Sequence, residues 1–287
     1  MLKPFEIHEP ATNKDAVNLL AQHGEDATPY AGGTELLTVM REGFARYSHL
    51  VNVKAVDGIN RIELSEDQQW LRIAAGVTHR EIETSELVAQ YAPLLVEVER
   101  KVANIRVRET GTIGGNLCFA DPNSDPATLF MAWENAQIEL QSPRGVRQLA
   151  PQEFFLESYV TARQNDEIMT ALLLPVHKEG QGYAFEKFVQ LERPTANVAA
   201  FLSMADGEID FVHIALGSVT PVPVRLTEAE ALLSGKQVSN ELIAKVGETA
   251  SQSIEPTADH YGSIAYKRNL VSVLVERALH QAVARLG

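Results

Sequence analysis

The chain has 287 residues, 45% of them apolar, with 38 Asp and Glu against 25 Lys and Arg, a formal net charge of −13. That length accommodates about two domains with a core each, and an acidic balance unbroken by any Lys/Arg cluster excludes an electrostatic footprint for nucleic acid or an anionic membrane. The single cysteine, Cys118, leaves no internal disulfide and no cysteine-ligated zinc or iron–sulfur site built from this chain alone, so redox chemistry here needs an organic cofactor or a neighbour's metal.

The opening "MLKPFEIHEP" lacks the basic start and apolar stretch of a signal peptide, and no later run reaches the roughly 18 apolar residues of a spanning helix. The expected location is cytoplasmic. "NKDAVNLLAQH" (13–23) has helical spacing with Asn13 as its N-cap. "TPYAG" then reads as a strand running through glycines into a helix carrying Leu36, Leu37 and Met40. "HLVNVKAV", "RIEL" and "WLRIAAGV" read as short strands, and "HREIETSELVAQYAPLLVEVERKVA" as helical.

Residues 112–126, "TIGGNLCFADPNSDP", form a glycine-rich turn before the apolar run "ATLFMAW". "AQIELQSP" and "GVRQLAP" suggest a hairpin about "SPRG", "PQEFFLESYVT" a helix, and "DEIMTALLLPV" a strand stopped by Pro175. A boundary near residue 177 follows. Beyond it "YAFEKFVQL", "NVAAFLSMA" and "DFVHIALGSV" are strand-like. "TEAEALLSG", "NELIAKVGETA" and "YKRNLVSVLVERALHQAVARL" are helical, the last with Val271, Leu274, Val275, Ala278 and Ala282 on a face for the core or a subunit contact. The pattern is a sheet covered by helices, an α+β arrangement.

Two glycine segments, "AGGTEL" (31–36) and "GTIGGN" (111–116), stand out. Without Cβ atoms they can bring backbone N–H groups close to an anion such as a pyrophosphate, with Thr34, Thr112 and Asn116 as added donors; they can equally be ordinary tight turns. Neither G-x-G-x-x-G nor G-x-x-x-x-G-K-[ST] occurs, which disfavours a Rossmann domain or a P-loop. Asp121 and Asp125 admit three readings: metal carboxylates, a turn with Asp as helix cap, or, for Asp125, a contact to a ribose hydroxyl. The eight histidines form no ligand pair by spacing and read as surface or packing residues, with His79 after "AAGVT" the one that draws notice. Cys118 has no adjacent base and no G-x-S-x-G elbow occurs, so no nucleophilic constellation is visible. Lys187 reads as an exposed lysine or one reaching a buried anion, and "LERP" as a solvated turn.

Together, "AGGTELL", "GTIGGNLCFADPNSDPA", "FEKFVQLERPTAN", "LGSVTPVPVRLTEAEALL" and "YKRNLVSVLVERAL" resemble the flavoprotein (medium) subunit of the molybdenum hydroxylases, the carbon monoxide dehydrogenase and xanthine dehydrogenase family, over essentially the whole chain. The resemblance implies an α+β chain. Its N-terminal FAD-binding domain, of the vanillyl-alcohol-oxidase (PCMH) type, spans 1–177 with subdomains of about 1–56 and 57–177, and a C-terminal α+β domain spans 178–287. It implies that Ala31, Gly32, Gly33, Thr34 and Glu35 hold the FAD pyrophosphate from one side, with Tyr30 and Leu36 beside them. Thr112, Ile113, Gly114, Gly115 and Asn116 hold it from the other, Asp125 is a polar FAD contact, and Lys187 lies near the isoalloxazine. Val102 and Met169 take the places of apolar groups flanking the cofactor. The link "RVRETG" is longer than the family's, and Val198 stands where some relatives carry an aromatic residue.

The implied activity is an electron relay: a large subunit with the molybdenum cofactor hydroxylates substrate, a small subunit carries electrons through 2Fe–2S clusters, and FAD in this chain passes them to NAD or a quinone. The implied assembly is a dimer of heterotrimers. A free-standing FAD-dependent oxidoreductase and a scaffold that has lost its nucleotide are the rival expectations. Under the relay reading no catalytic side chain and no metal ligand of this chain is expected.

Overall fold

The computed structural model describes residues 2–190 and 193–286. Leu191 and Glu192, in the expected strand end and "LERP" turn, lie outside the described residues. In chain order the elements are β1 (Glu6–His8), α1 (Asn13–His23), β2 (Ala27–Tyr30), α2 (Leu36–Glu42), β3 (His49–Asn52), β4 (Ile62–Leu64) and β5 (Trp70–Ala74). Next come α3 (His79–Thr84), α4 (Glu86–Tyr91), α5 (Pro93–Glu99), α6 (Ile105–Thr110), α7 (Ile113–Phe119) and α8 (Asp125–Ala132). The hairpin β6 (Gln137–Ser142) and β7 (Gly145–Leu149) leads to α9 (Pro151–Phe154), β8 (Phe155–Glu157), β9 (Val160–Thr161) and β10 (Ile168–Pro175). Last are β11 (Gly182–Val189), β12 (Pro194–Ala205), β13 (Glu208–Gly217), β14 (Val224–Arg225), α10 (Thr227–Leu233), α11 (Asn240–Gln252) and α12 (Ile264–Ala284).

These elements form two compact units that are not contiguous in sequence. The first comprises Met1–Tyr91, Val102–Ala120 and Asn135–Val176; the second comprises Ala92–Lys101, Asp121–Glu134 and His177–Gly287. Two segments that precede residue 177 thus pack with the C-terminal part of the chain.

In the first unit a parallel sheet has the order β1-β3-β2, and an antiparallel one the order β4-β5-β10-β6-β7. β10 is central, and Ile168–Leu172 are all buried, as a strand flanked on both edges requires. The second unit is built on the antiparallel sheet β11-β12-β13-β14. Here β12 is buried continuously from Pro194 to Leu202, because helices cover both faces. On one face Val198, Ala200, Ile214 and Leu216 meet Val246 of α11 and Val271, Leu274 and Val275 of α12. On the other, Trp133 packs edge-on to Phe201, and Thr128 of α8 hydrogen-bonds Asn197.

Several expected elements differ. The cap of α1 is Thr12, not Asn13: Thr12 has extended φ and ψ, and its hydroxyl accepts the Asp15 N–H, which leaves Asn13 inside the first turn. The helical stretch from residue 79 forms three helices, with breaks at Ser85 and at Ala92, whose place before Pro93 disfavours helical backbone. "PQEFFLESYVT" is helical only to Phe154. Consecutive Phe154 and Phe155 are both buried, which a one-faced helix cannot arrange, and Tyr159 turns the chain at φ 63 between β8 and β9. The glycine-rich stretch after Thr112 is a helix, α7, rather than a turn. No described helix is long and apolar enough to cross a membrane.

Candidate functional site

The first glycine segment follows β2. Tyr30 pairs with Asn52 at the strand end, and the chain then passes through Ala31–Glu35 into α2. Gly33 has φ +71, a left-handed conformation that L side chains avoid, and a Cβ there would lie 2.7 Å from the Tyr30 ring. Among the described residues no acceptor meets the backbone N–H of Gly32, Gly33 or Thr34. Carbonyl groups, by contrast, are used: Gly33 O accepts the Leu37 N–H, and Thr34 O accepts the Thr38 hydroxyl. Three successive amides without acceptors, bent around a left-handed glycine, make a concave donor surface for an anion.

The second segment is built on the far end of β5. Ile113 N–H donates to Val77 O and Gly114 N–H to Ala75 O, both at 2.9 Å, while His79 N–H donates to Gly111 O at 3.0 Å. Thr112 caps α7, its hydroxyl accepting the Gly115 N–H at 3.0 Å, and its carbonyl accepts the Asn116 N–H. The amides of residues 113–116 are therefore all engaged inside the protein. What this segment offers is bare carbon: Gly114 lies flush against Ala75, where a Cβ would fall 2.5 Å from the alanine methyl, whereas Gly115 meets only the Thr112 hydroxyl.

The two segments touch. A Cβ on Gly32 would lie 2.1 Å from Thr110 O and 2.8 Å from Gly111 Cα, so the contact exists only because residue 32 has no side chain. The structure thus brings Tyr30, Ala31, Gly32, Gly33, Thr34, Glu35 and Leu36 into one unit with Thr112, Ile113, Gly114, Gly115 and Asn116. Val102 and Met169 belong to the same unit and are buried. Val102 O accepts from Arg108, and Met169 sits at a bulge in β10 beside Thr170, whose carbonyl accepts the Ala75 N–H.

Residues 75–79 were missed by sequence reasoning apart from His79, which is 2% exposed and backs Gly111. The signal available for them was Thr78-x-x-Glu81, a capping box that is formed, with Glu81 Oε2 2.7 Å from the Thr78 N–H. On α7, desolvation pushes the Cys118 thiol up to about 11, against a small opposing pull from Arg163, so it supplies no thiolate near neutrality.

Asp125 and Lys187 lie in the second unit and meet each other there. Lys187 Nζ is 2.6 Å from Asp125 Oδ2, and Asn197 Nδ2 is 2.8 Å from Oδ1. Lys187 and Asn197 are cross-strand partners of β11 and β12, and Lys187 also donates to Lys101 O. Burial pushes the Asp125 carboxyl above its ordinary value, with Lys187 and Asn197 opposing. Of the readings open for the aspartates, the cap belongs instead to Ser124, whose hydroxyl accepts the Ala127 N–H. The shared metal site is not formed: Asp121 pairs with Arg193 and Asp125 with Lys187. The histidines, which spacing left unconnected, do meet at one place: the ligand atoms of His8, His23 and His49 all lie within 4.8 Å of one another.

Residues 3–177 match the family model of the FAD binding domain in molybdopterin dehydrogenase, and residues 187–282 that of the CO dehydrogenase flavoprotein C-terminal domain. The chain is 32% identical to the carbon monoxide dehydrogenase medium chain of Hydrogenophaga pseudoflava, over 99% of each chain. It is 33% identical to the nicotine 6-hydroxylase medium subunit of Paenarthrobacter nicotinovorans, again over 99% of each. Its fold superposes on a solved structure of the Hydrogenophaga pseudoflava carbon monoxide dehydrogenase, lacking the Mo-pyranopterin moiety of the molybdenum cofactor, with TM-score 0.96 over 100% of both chains at 32% identity.

Proposed function

Because the chain belongs to the FAD-binding flavoprotein family of the molybdenum hydroxylases, an oxidoreductase family, we propose that it is the electron-relay subunit of such an enzyme. The observation that carries this is the convergence of the two glycine segments. One supplies the unaccepted amides of Gly32, Gly33 and Thr34, the other a glycine surface at Gly115 with open space beyond Thr112 Oγ1. Donors of that kind beside bare carbon suit the pyrophosphate of FAD, a dianion that backbone N–H groups can bind at close approach.

Residues 31–35 hold the pyrophosphate from one side and residues 112–116 from the other, with Tyr30, Leu36, Val102 and Met169 shaping the apolar surroundings. Bound FAD supplies the exchange between one-electron and two-electron carriers, and the chain supplies binding, orientation and tuning. Asp125 and Lys187 complete the cofactor environment in the assignment that follows from the family motifs. Within the second unit the two hold each other in a buried ion pair.

The partners are a large subunit with the molybdenum cofactor and a small subunit with 2Fe–2S clusters, in a cytoplasmic dimer of heterotrimers, and the acceptor is NAD or a quinone. Carbon monoxide and nicotine figure in the names of relatives equally similar to this chain. The substrate is accordingly a property of the large subunit. Purification of the native complex with metal analysis and a visible spectrum tests the reading. Molybdenum, iron and FAD should co-elute with this chain, and the chain alone should be yellow yet inert towards oxidisable substrates. An active native preparation with FAD but neither metal would establish the free-standing oxidoreductase instead.

A further inference from the structure

We propose that His8, His23 and His49 form a binding site for a divalent cation of the zinc class. The three residues come from β1, the last position of α1 and the first position of β3, so regular elements rather than loops hold all three. His8 Nε2 lies 3.0 Å from His49 Nδ1, and the rings of His23 and His49 stack with centroids 3.8 Å apart. A tetrahedral zinc with Zn–N bonds of about 2.0–2.1 Å sets its nitrogens about 3.3 Å apart. The triad brackets that spacing, from the 3.0 Å pair to the 4.8 Å limit that contains all three ligand atoms, and binding requires the stacked His23 ring to turn so that its in-plane lone pair faces the ion.

The donor chemistry selects the metal. Three imidazole nitrogens suit zinc, copper or nickel and not magnesium or calcium, which take oxygen. The contact between His8 and His49 needs a lone pair on one of the two facing nitrogens, so at least one ring of that pair is the neutral, metal-binding form. The surroundings favour a cation. Glu6 Oε2 stands 3.7 Å from His49 Nδ1, the same nitrogen that faces His8, and is placed there as a fourth ligand. His23 ends an eleven-residue helix, where the carbonyl end of the helix dipole attracts positive charge. All three rings are part-exposed, so an ion can enter from solvent. Metal there ties the end of α1 to the first strands of the parallel sheet, just before β2 runs into the first glycine segment.

The test uses the full FAD-loaded chain, freed of metal and dialysed against zinc with a competing chelator. Wild type should hold about one zinc per chain, and cobalt in its place should give the ligand-field bands of a four-coordinate nitrogen-rich site, to the red of the flavin absorption. His23→Asn and His8→Asn should each weaken zinc binding at least ~100-fold while flavin content and the zinc-free melting temperature stay at wild-type values. If one variant does not fold, the other decides. Failure of wild type to retain zinc, or zinc affinity unchanged in a folded histidine variant, would overturn the proposal. Neither outcome touches the flavin assignment, which is read from the flavin spectrum.

Discussion

The segments Ala31–Leu36 and Gly111–Asn116 look alike in sequence, each a glycine pair with a threonine within two residues, yet they are opposite in structure. In the first, the chain bends through a left-handed glycine and leaves three amides without acceptors. In the second, the glycines open a helix whose first amides are taken by Ala75, Val77 and Thr112. One segment is a donor surface and the other a smooth wall. Glycine serves conformation in the first case and close approach in the second, so a glycine pair by itself does not report which.

Substitutions separate the two roles. The largest effect is expected for Gly32→Ala, since its methyl would stand 2.1 Å from the Thr110 carbonyl oxygen, a backbone atom that cannot swing aside. Forcing the segments apart should cost about 3 kcal/mol or more and remove flavin binding, seen as a lower melting temperature and a colourless protein. A stable yellow Gly32→Ala would mean that the segments need not touch. Gly115→Val comes next and should behave differently. Its site is open apart from Thr112 Oγ1, so stability should hold while FAD affinity falls ~100-fold, about 2.7 kcal/mol; full flavin occupancy would remove the 112–116 wall from the site. Gly33→Ala should be milder than Gly32→Ala, combining about 1–2 kcal/mol of left-handed strain with a methyl 2.7 Å from the Tyr30 ring, a side chain that can shift where the Thr110 carbonyl cannot, and with a partial loss of flavin affinity as the amides of the first segment reorient.

How far the sequence foretold this differs between the regions for physical reasons. The strands of the second unit and α10–α12 are legible because each carries its signal within its own segment, as apolar runs or helical spacing, even though partners such as α8 and α12 lie far along the chain from β12. The stretch "IGGNLCF" gave no such signal: it has no amphipathic period, and two glycines cost a helix about 1 kcal/mol each. Its helicity comes from the contacts of Gly114 with Ala75 and of Ile113 with Val77, far away in sequence, and tertiary contacts of that kind override propensity. The location of the candidate site was legible through motifs. The difference between its two sides was not, because it depends on which amides meet an acceptor. His8, His23 and His49 carried no spacing signal, since three separate elements bring them together.

The smallest effect is the most discriminating. Thr112 is 2% exposed and caps α7 through the Gly115 N–H, so Thr112→Ala should cost about 1 kcal/mol in thermal or denaturant unfolding, largely restored by Thr112→Ser. The same change releases the Gly115 amide, giving the second segment one donor of the kind the first has three of. If that segment acts as a carbon wall, losing the hydroxyl takes nothing from the pyrophosphate, and FAD affinity should be unchanged or slightly raised while stability falls. A loss of affinity as large as that of Gly115→Val, at a stability cost reversed by serine, would instead make the Thr112 hydroxyl a cofactor ligand and the two segments alike in function after all.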